Sequence, residues 1–167
     1  MDLHERKHPR IKGFDYGAAG AYFVTICTYN RRCILSRVVG QGFTPAENGV
    51  EYTTFGKIAE KQLLLLTERY PYLRLDKYAI MPNHIHAILI LGDNTAGASP
   101  RPTLMDIVCA YKSLTTRECK KNGLLDKLFQ TSFYEHIIRG LDDYNEIAKY
   151  ICENPIRWYY DELYIKE

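Results

Sequence analysis

The segment from Leu73 to Leu91 leaves this chain little conformational freedom. Two strand-like runs, 73–80 and 84–91, are separated only by Met81, Pro82 and Asn83. A short connection of that composition reverses the chain, so the two runs are expected to pair as antiparallel neighbours. Ala21 to Thr28 is rich in aromatic and β-branched residues and reads as another buried, central strand. Thr54 is placed to cap a helix in which Phe55, Ile58, Ala59, Gln62, Leu63, Leu66 and Tyr70 recur at helical spacing. Leu104, Ile107, Val108, Tyr111, Leu114 and Thr115 mark a second amphipathic helix. An extended piece follows within 129–139, and a last helix starts near Asp142 or Asp143, either of which can cap it, with Pro155 limiting its far end. Short β-like pieces around Gly40, Gly42, Pro45 and Gly49 read as an irregular hairpin, and 92–102 as a polar loop.

The resulting order is strand, helix, strand, strand, helix, strand, helix. Its first six elements form the split βαβ pattern of a ferredoxin-like α+β fold: an antiparallel sheet with helices on one face, followed by a C-terminal helix. At 167 residues the chain is expected to be a single domain, 1–167. No apolar run approaches the ~18 residues of a membrane span, and the charged N-terminus is not a secretory signal. A cytoplasmic protein with no membrane partner is expected. The five cysteines include no pair at C-x-x-C spacing and are expected to be reduced packing residues. A net charge of +2 does not by itself announce a nucleic-acid binder. Basic residues do outnumber acidic ones over 1–37, while the reverse holds over 140–167.

His84 and His86 lie two apart in a strand, so both imidazoles leave the same face. That is a chelating arrangement, although H-x-H alone is equally compatible with two hydrogen-bonded core histidines. In the last helix Tyr144, Ile147, Ala148 and Ile151 form the apolar stripe, and Tyr150 falls off it, on the flank shared with Glu146 and Asn154. A tyrosine beside a metal site points to phosphodiester chemistry. A phenol with a pKa near ~10 is a poor nucleophile toward an anionic phosphate at neutral pH, and a divalent cation offsets both obstacles. Asn154, one turn beyond Tyr150, could add a neutral oxygen to the two histidines, a mixed donor set suited to Mn²⁺ or Mg²⁺.

Four blocks carry a family resemblance. Met81-Pro82-Asn83-His84-Ile85-His86 resembles the HUH motif of single-tyrosine transposases, and Tyr150-Ile151-Cys152-Glu153-Asn154-Pro155 resembles their tyrosine helix. Residues 12–16 with 22–28, and Phe133 to Arg139, are similar to further blocks of the REP-associated tyrosine transposases, relatives of the transposases of the smallest bacterial insertion sequences. The resemblance implies cleavage of single-stranded DNA beside a hairpin, with Tyr150 joined to a 5′ phosphate and a 3′ hydroxyl released for later rejoining. It implies His84, His86 and Asn154 as metal ligands and no nucleotide cofactor. His136 and Arg139 lie in a matching block, with a structural rather than catalytic role favoured for both. Where the family often has Trp-Gln-Arg, this chain has Phe129-Gln130-Thr131, which implies a weakened stacking surface and a weakened cationic contact.

Expected DNA contacts are Lys112, Arg117 and Lys120, with Lys121, on the polar face of the second helix, together with Arg139. Arg31 and Arg32, with Arg10 and Lys12, form a second basic set. A homodimer is an admissible assembly. The alternative reading is a domesticated hairpin-binding protein that has lost transposition, but binding alone requires neither histidine, nor Tyr150, nor Asn154.

Overall fold

The computed structural model describes residues 12–39, 49–93 and 101–165. Arg10 and most of the two Gly/Pro-rich connections read from the sequence lie outside these residues. Four strands form one antiparallel sheet: β1 (Gly20–Cys27), β4 (Leu73–Ile80), β5 (His84–Leu91) and β6 (Tyr134–Ile138), in the order β4-β5-β1-β6. A separate hairpin pairs β2 (Ser36–Val39) with β3 (Gly49–Tyr52). The expected ferredoxin-like α+β architecture is therefore present, and the two strands around Met81-Pro82-Asn83 have the bounds read from the sequence.

The period-2 alternation of β1 and β5 divides the interior in two. Tyr22, Val24 and Ile26, with Ile85, Ala87, Leu89 and Leu91, join Ala59, Leu63, Ile107 and Tyr111 in the main core, so α1 (Thr54–Leu64) and α3 (Leu104–Lys121) share one face of the sheet. The Tyr111 hydroxyl donates to the Ala59 carbonyl at 3.1 Å, tying these helices together. Phe23 and Ile88 point the other way and meet Ile147, Ala148 and Ile151 of α4 (Leu141–Glu153). His84 and His86 have the parity of Ile88, so both lie under α4.

Two polar contacts fasten α4 across the sheet. A register shift in β4 between Leu75 and Tyr78 marks a bulge, and bulges re-aim side chains; Asp76, inside it, accepts from the Tyr144 hydroxyl. At the opposite edge, His136 of β6 meets Asp143 at 2.9 Å. That bond also accounts for one departure from expectation. Asp143 does not cap α4 from outside: Gly140 is the N-cap, and the Asp143 carboxylate is taken by the His136 ring and by the Arg139 N–H. The first helix is likewise capped by Thr53 rather than Thr54, with the Thr53 hydroxyl accepting from the Gly56 N–H, and it breaks at Leu65 before a short α2 (Leu66–Arg69). Of the cysteines, Cys119 is buried, but Cys109 and Cys152 are exposed, so those two do not serve as packing residues; none forms a disulfide.

The start of α1 abuts the segment leading into β2, which is itself hydrogen-bonded to the β4–β5 turn. Leu35 donates its N–H to the Pro82 carbonyl and accepts at its own carbonyl from the Thr53 N–H, both at 3.0 Å. Gly56 makes this approach possible, because a Cβ there would lie 2.0 Å from the Leu35 carbonyl oxygen. Backbone cannot yield as a flexible side chain does. Gly56→Ala is expected to cost about 1–3 kcal/mol, read as a melting temperature lower by about 2–4 °C for each kcal/mol. Unchanged thermal unfolding would contradict this packing.

Candidate metal centre and nucleophile

Hydrogen bonding fixes the orientation of the side chains around the two histidines. The Asn83 Nδ2 donates to the Leu163 carbonyl at 2.7 Å. Since a carbonyl can only accept, the other end of the amide, Oδ1, faces His84, 2.8 Å from Nδ1. Oδ1 is in turn an acceptor only, so the proton is on His84 Nδ1 and Nε2 keeps its lone pair. His86 Nδ1 lies 2.8 Å from the Thr25 hydroxyl, which is able to hold the same tautomer. The Asn154 Nδ2 donates to Asp161 Oδ2, and this leaves Asn154 Oδ1 turned inward.

Three acceptor atoms, His84 Nε2, His86 Nε2 and Asn154 Oδ1, are consequently buried without a hydrogen-bond partner among the described residues. Buried polar atoms are rarely left so. Their residues are 0%, 2% and 1% exposed. The ligating atoms of His84, His86 and Asp161 all lie within 4.8 Å of one another. Two neutral imidazoles, an amide oxygen and a carboxylate suit a divalent cation of intermediate hardness, and the partners at the far ring nitrogens supply the outer contacts that orient metal-binding histidines. These residues fit the divalent metal expected from the sequence.

Tyr150 stands at the rim. It is 41% exposed, and its ring centroid lies 5.1 Å from that of His86 and 6.3 Å from that of Phe23. Its hydroxyl donates to Asp161 Oδ2 at 3.1 Å. Burial, followed by the Asp161 charge, raises its pKa and keeps the phenol protonated. Asp161 is therefore shared by Tyr150 and Asn154, and it went unnoticed in the sequence. It follows the turn Trp158–Tyr160, where the buried Trp158 ring lies 5.9 Å from that of His84.

The basic residues are distributed unevenly. Arg31 follows the end of β1, where Cys27 pairs with His84, and its charge is among the influences on both Cys27 and His84. Arg31 (φ 55°) and Asn30 (φ 54°) are both left-handed, a costly state for a side-chain-bearing residue. The turn is held there by the Thr28 hydroxyl, 2.8 Å from the Arg32 carbonyl, and by the Tyr29 N–H donating to the Leu128 carbonyl at 2.8 Å. Arg32 is engaged in the same clamp through the Lys127 carbonyl. The Lys112 ammonium rests on the Thr131 carbonyl at 2.6 Å, and its charge also reaches Cys27. Arg117 and Lys120 are exposed on α3, the layer across the sheet from the histidines. Arg139 follows β6, whose Ile138 pairs with Ala21, so it lies toward the far end of the sheet, roughly 20 Å from His84 at the usual strand rise. Of the expected DNA contacts, the fold thus gathers Arg31 and Lys112 near the site. Phe129 is a core residue whose ring lies 6.0 Å from that of Tyr111.

No protein-family model matches the chain. An uncharacterized protein of Haemophilus influenzae is 29% identical over 178 residues, an alignment covering 98% of this chain and 95% of that protein. Among solved structures, a REP-associated tyrosine transposase bound to a REP hairpin is similar at a TM-score of 0.61 and 21% identity, covering 92% of this chain and 74% of that one. The chain has the fold of that transposase. Among the described residues no helix is long and apolar enough to cross a membrane.

The two histidines generate a pH signature. Burial lowers His84 to about 3, and burial followed by the neighbouring His84 lowers His86 well below 6.5. The unfolded chain takes up protons near pH 6.5 that the folded chain refuses. Stability is therefore full above that pH and is lost as pH falls toward the folded values, by about 1.4 kcal/mol per unit for each histidine. Urea unfolding of the metal-free protein at pH 7 and pH 5 measures this loss. The His84→Gln/His86→Gln pair is expected to have a flatter profile, and equal slopes would contradict the neutral assignment.

Proposed function

We propose that this chain is a metal-dependent single-stranded DNA transposase that cleaves and rejoins DNA beside hairpins through a 5′-phosphotyrosine. The observation that carries this reading is the convergence of Tyr150, Asn154, His84 and His86 around one carboxylate, Asp161. Support also comes from the fold shared with a transposase whose structure holds a REP hairpin.

Bound at His84, His86 and Asn154, Mn²⁺ or Mg²⁺ would supply Lewis-acid stabilisation of the phosphate charge. The chain's own residues account for the remainder. Ile147, Ala148 and Ile151 fix α4 on the sheet, so the Tyr150 oxygen is presented at the rim rather than in the core. Arg31 and Lys112 provide cationic surface for the DNA backbone near the His84 end of the sheet, with Arg32 and Lys127 bracing the turn that carries Arg31. In the reaction the phenol oxygen forms a bond to phosphorus as the bond from phosphorus to the 3′ oxygen breaks. The phenol proton leaves to water at the exposed rim, and the 3′ oxygen takes a proton from water. The phosphodiester is exchanged rather than hydrolysed, so the free 3′ hydroxyl can reverse the attack on another end.

Incubation with end-labelled single-stranded hairpin DNA and Mn²⁺, followed by denaturing electrophoresis, tests the reading. A covalent adduct is expected with the native chain and none with Tyr150→Phe, which removes only the phenol oxygen and is expected to keep hairpin binding. Hairpin binding without an adduct in the native protein would instead identify a domesticated binding protein. Arg31→Ala is expected to reduce the slope of log affinity against log salt by about 0.7, the loss of one phosphate contact on a single strand. An unchanged slope would remove Arg31 from the DNA path.

A further inference from the structure

A carboxylate oxygen of Asp161 lies within 4.8 Å of a ring nitrogen of each of His84 and His86, and its Oδ2 already accepts from two donors, the Tyr150 hydroxyl and the Asn154 Nδ2. Its Oδ1 accepts from the Leu163 N–H at 2.6 Å. A carboxylate oxygen offers about two lone-pair sites, so a cation drawn to Oδ2 must displace one of the donors. The two are not equally easy to displace. Asn154 is 1% exposed, and losing its Nδ2 bond would leave a buried donor unpaired and release the Oδ1 that this bond turns inward. Tyr150 is 41% exposed, and its hydroxyl can turn to water.

The carboxylate is also too firmly placed to be an incidental neighbour. The Asp161 N–H donates to the Trp158 carbonyl at 3.1 Å, and Asn83 holds the Leu163 carbonyl, so the groups that orient His84 also locate Asp161. Rigid support of this kind is what a ligand position needs. We propose that Asp161 is a ligand of the same ion as His84 and His86, and that the ion and the Tyr150 hydroxyl compete for its carboxylate, so that arrival of the metal releases the nucleophile. The inference builds on the metal-dependent reading above and adds a coupling between metal occupancy and the tyrosine.

Competition has a thermodynamic signature independent of catalysis. If the ion must displace Tyr150, removing the phenol oxygen must tighten metal binding, and the same coupling must act in the reverse direction. Calorimetric titration of the full chain with Mn²⁺ alone, without DNA, reads this. Asp161→Asn keeps the shape of the side chain and is expected to weaken Mn²⁺ at least tenfold. Tyr150→Phe is expected to tighten it by about three- to tenfold, the order of one net hydrogen bond from a partly exposed donor, and to have no effect in the Asp161→Asn background. Unchanged affinity in both single variants, with binding lost in His86→Ala, would overturn the coupling and leave the metal centre intact. Equal Mn²⁺ binding by native protein and His86→Ala would overturn the metal centre and the coupling together. If Asp161→Asn does not fold, the Tyr150→Phe titration decides alone: tighter binding supports the competition, and equal or weaker binding overturns it.

Discussion

The buried amide of Asn83 joins the parts on which the centre depends. Its nitrogen holds the Leu163 carbonyl beyond the last helix, and its oxygen receives the His84 ring proton. One side chain in a tight turn thus sets both the tautomer of His84 and the path of a segment some eighty residues later. Because the amide cannot rotate without facing carbonyl to carbonyl, the two tasks reinforce each other. The backbone around it is equally committed: the Asn83 carbonyl accepts from the Thr28 N–H and hydroxyl, so the β1 turn that carries Arg31 shares the same anchor.

The sheet divides the labour between its faces. The larger core, under α1 and α3, supplies most of the apolar burial. The smaller one, under α4, is interrupted by two histidines and an asparagine, each with one buried acceptor atom that has no hydrogen-bond partner among the described residues. Unsatisfied buried acceptors are unfavourable, and burial, which lowers the pKa of both imidazoles, favours their neutral form. The ties of α4 to Asp76 and to His136 at opposite edges of the sheet offset a thin apolar contact and fix the depth at which Tyr150 stands.

The sheet and its histidines were legible in the sequence because their signals are local: strand periodicity, a three-residue turn and two imidazoles of equal parity. The off-stripe position of Tyr150 was equally readable, since a helix converts spacing directly into angle. Helix starts were displaced where tertiary contacts overruled local preference. Asp143 has the composition of a cap but is taken by His136 from another element, and Thr53 rather than Thr54 caps because its hydroxyl also meets the Ile34 and Leu35 carbonyls. Asp161 left no signal at all. Nothing in a tail that also holds Glu162 tells which carboxylate folds back onto a strand seventy-five residues earlier. Lys112, Arg117 and Lys120 share a helix, yet the Thr131 carbonyl draws Lys112 toward the rim near Cys27. Helical phase alone contains no information about such a reach.

Asn30 and Arg31 have a consequence for how this fold can drift. Both positions hold side chains in a backbone region where glycine is at ease; asparagine tolerates that region, whereas at Arg31 replacement by glycine relieves strain. At Arg31 the same exchange would also remove the positive charge that acts on His84. A lineage, or a laboratory library, screened for thermal resistance alone would therefore tend to erode this turn first and lose the charge along with the strain.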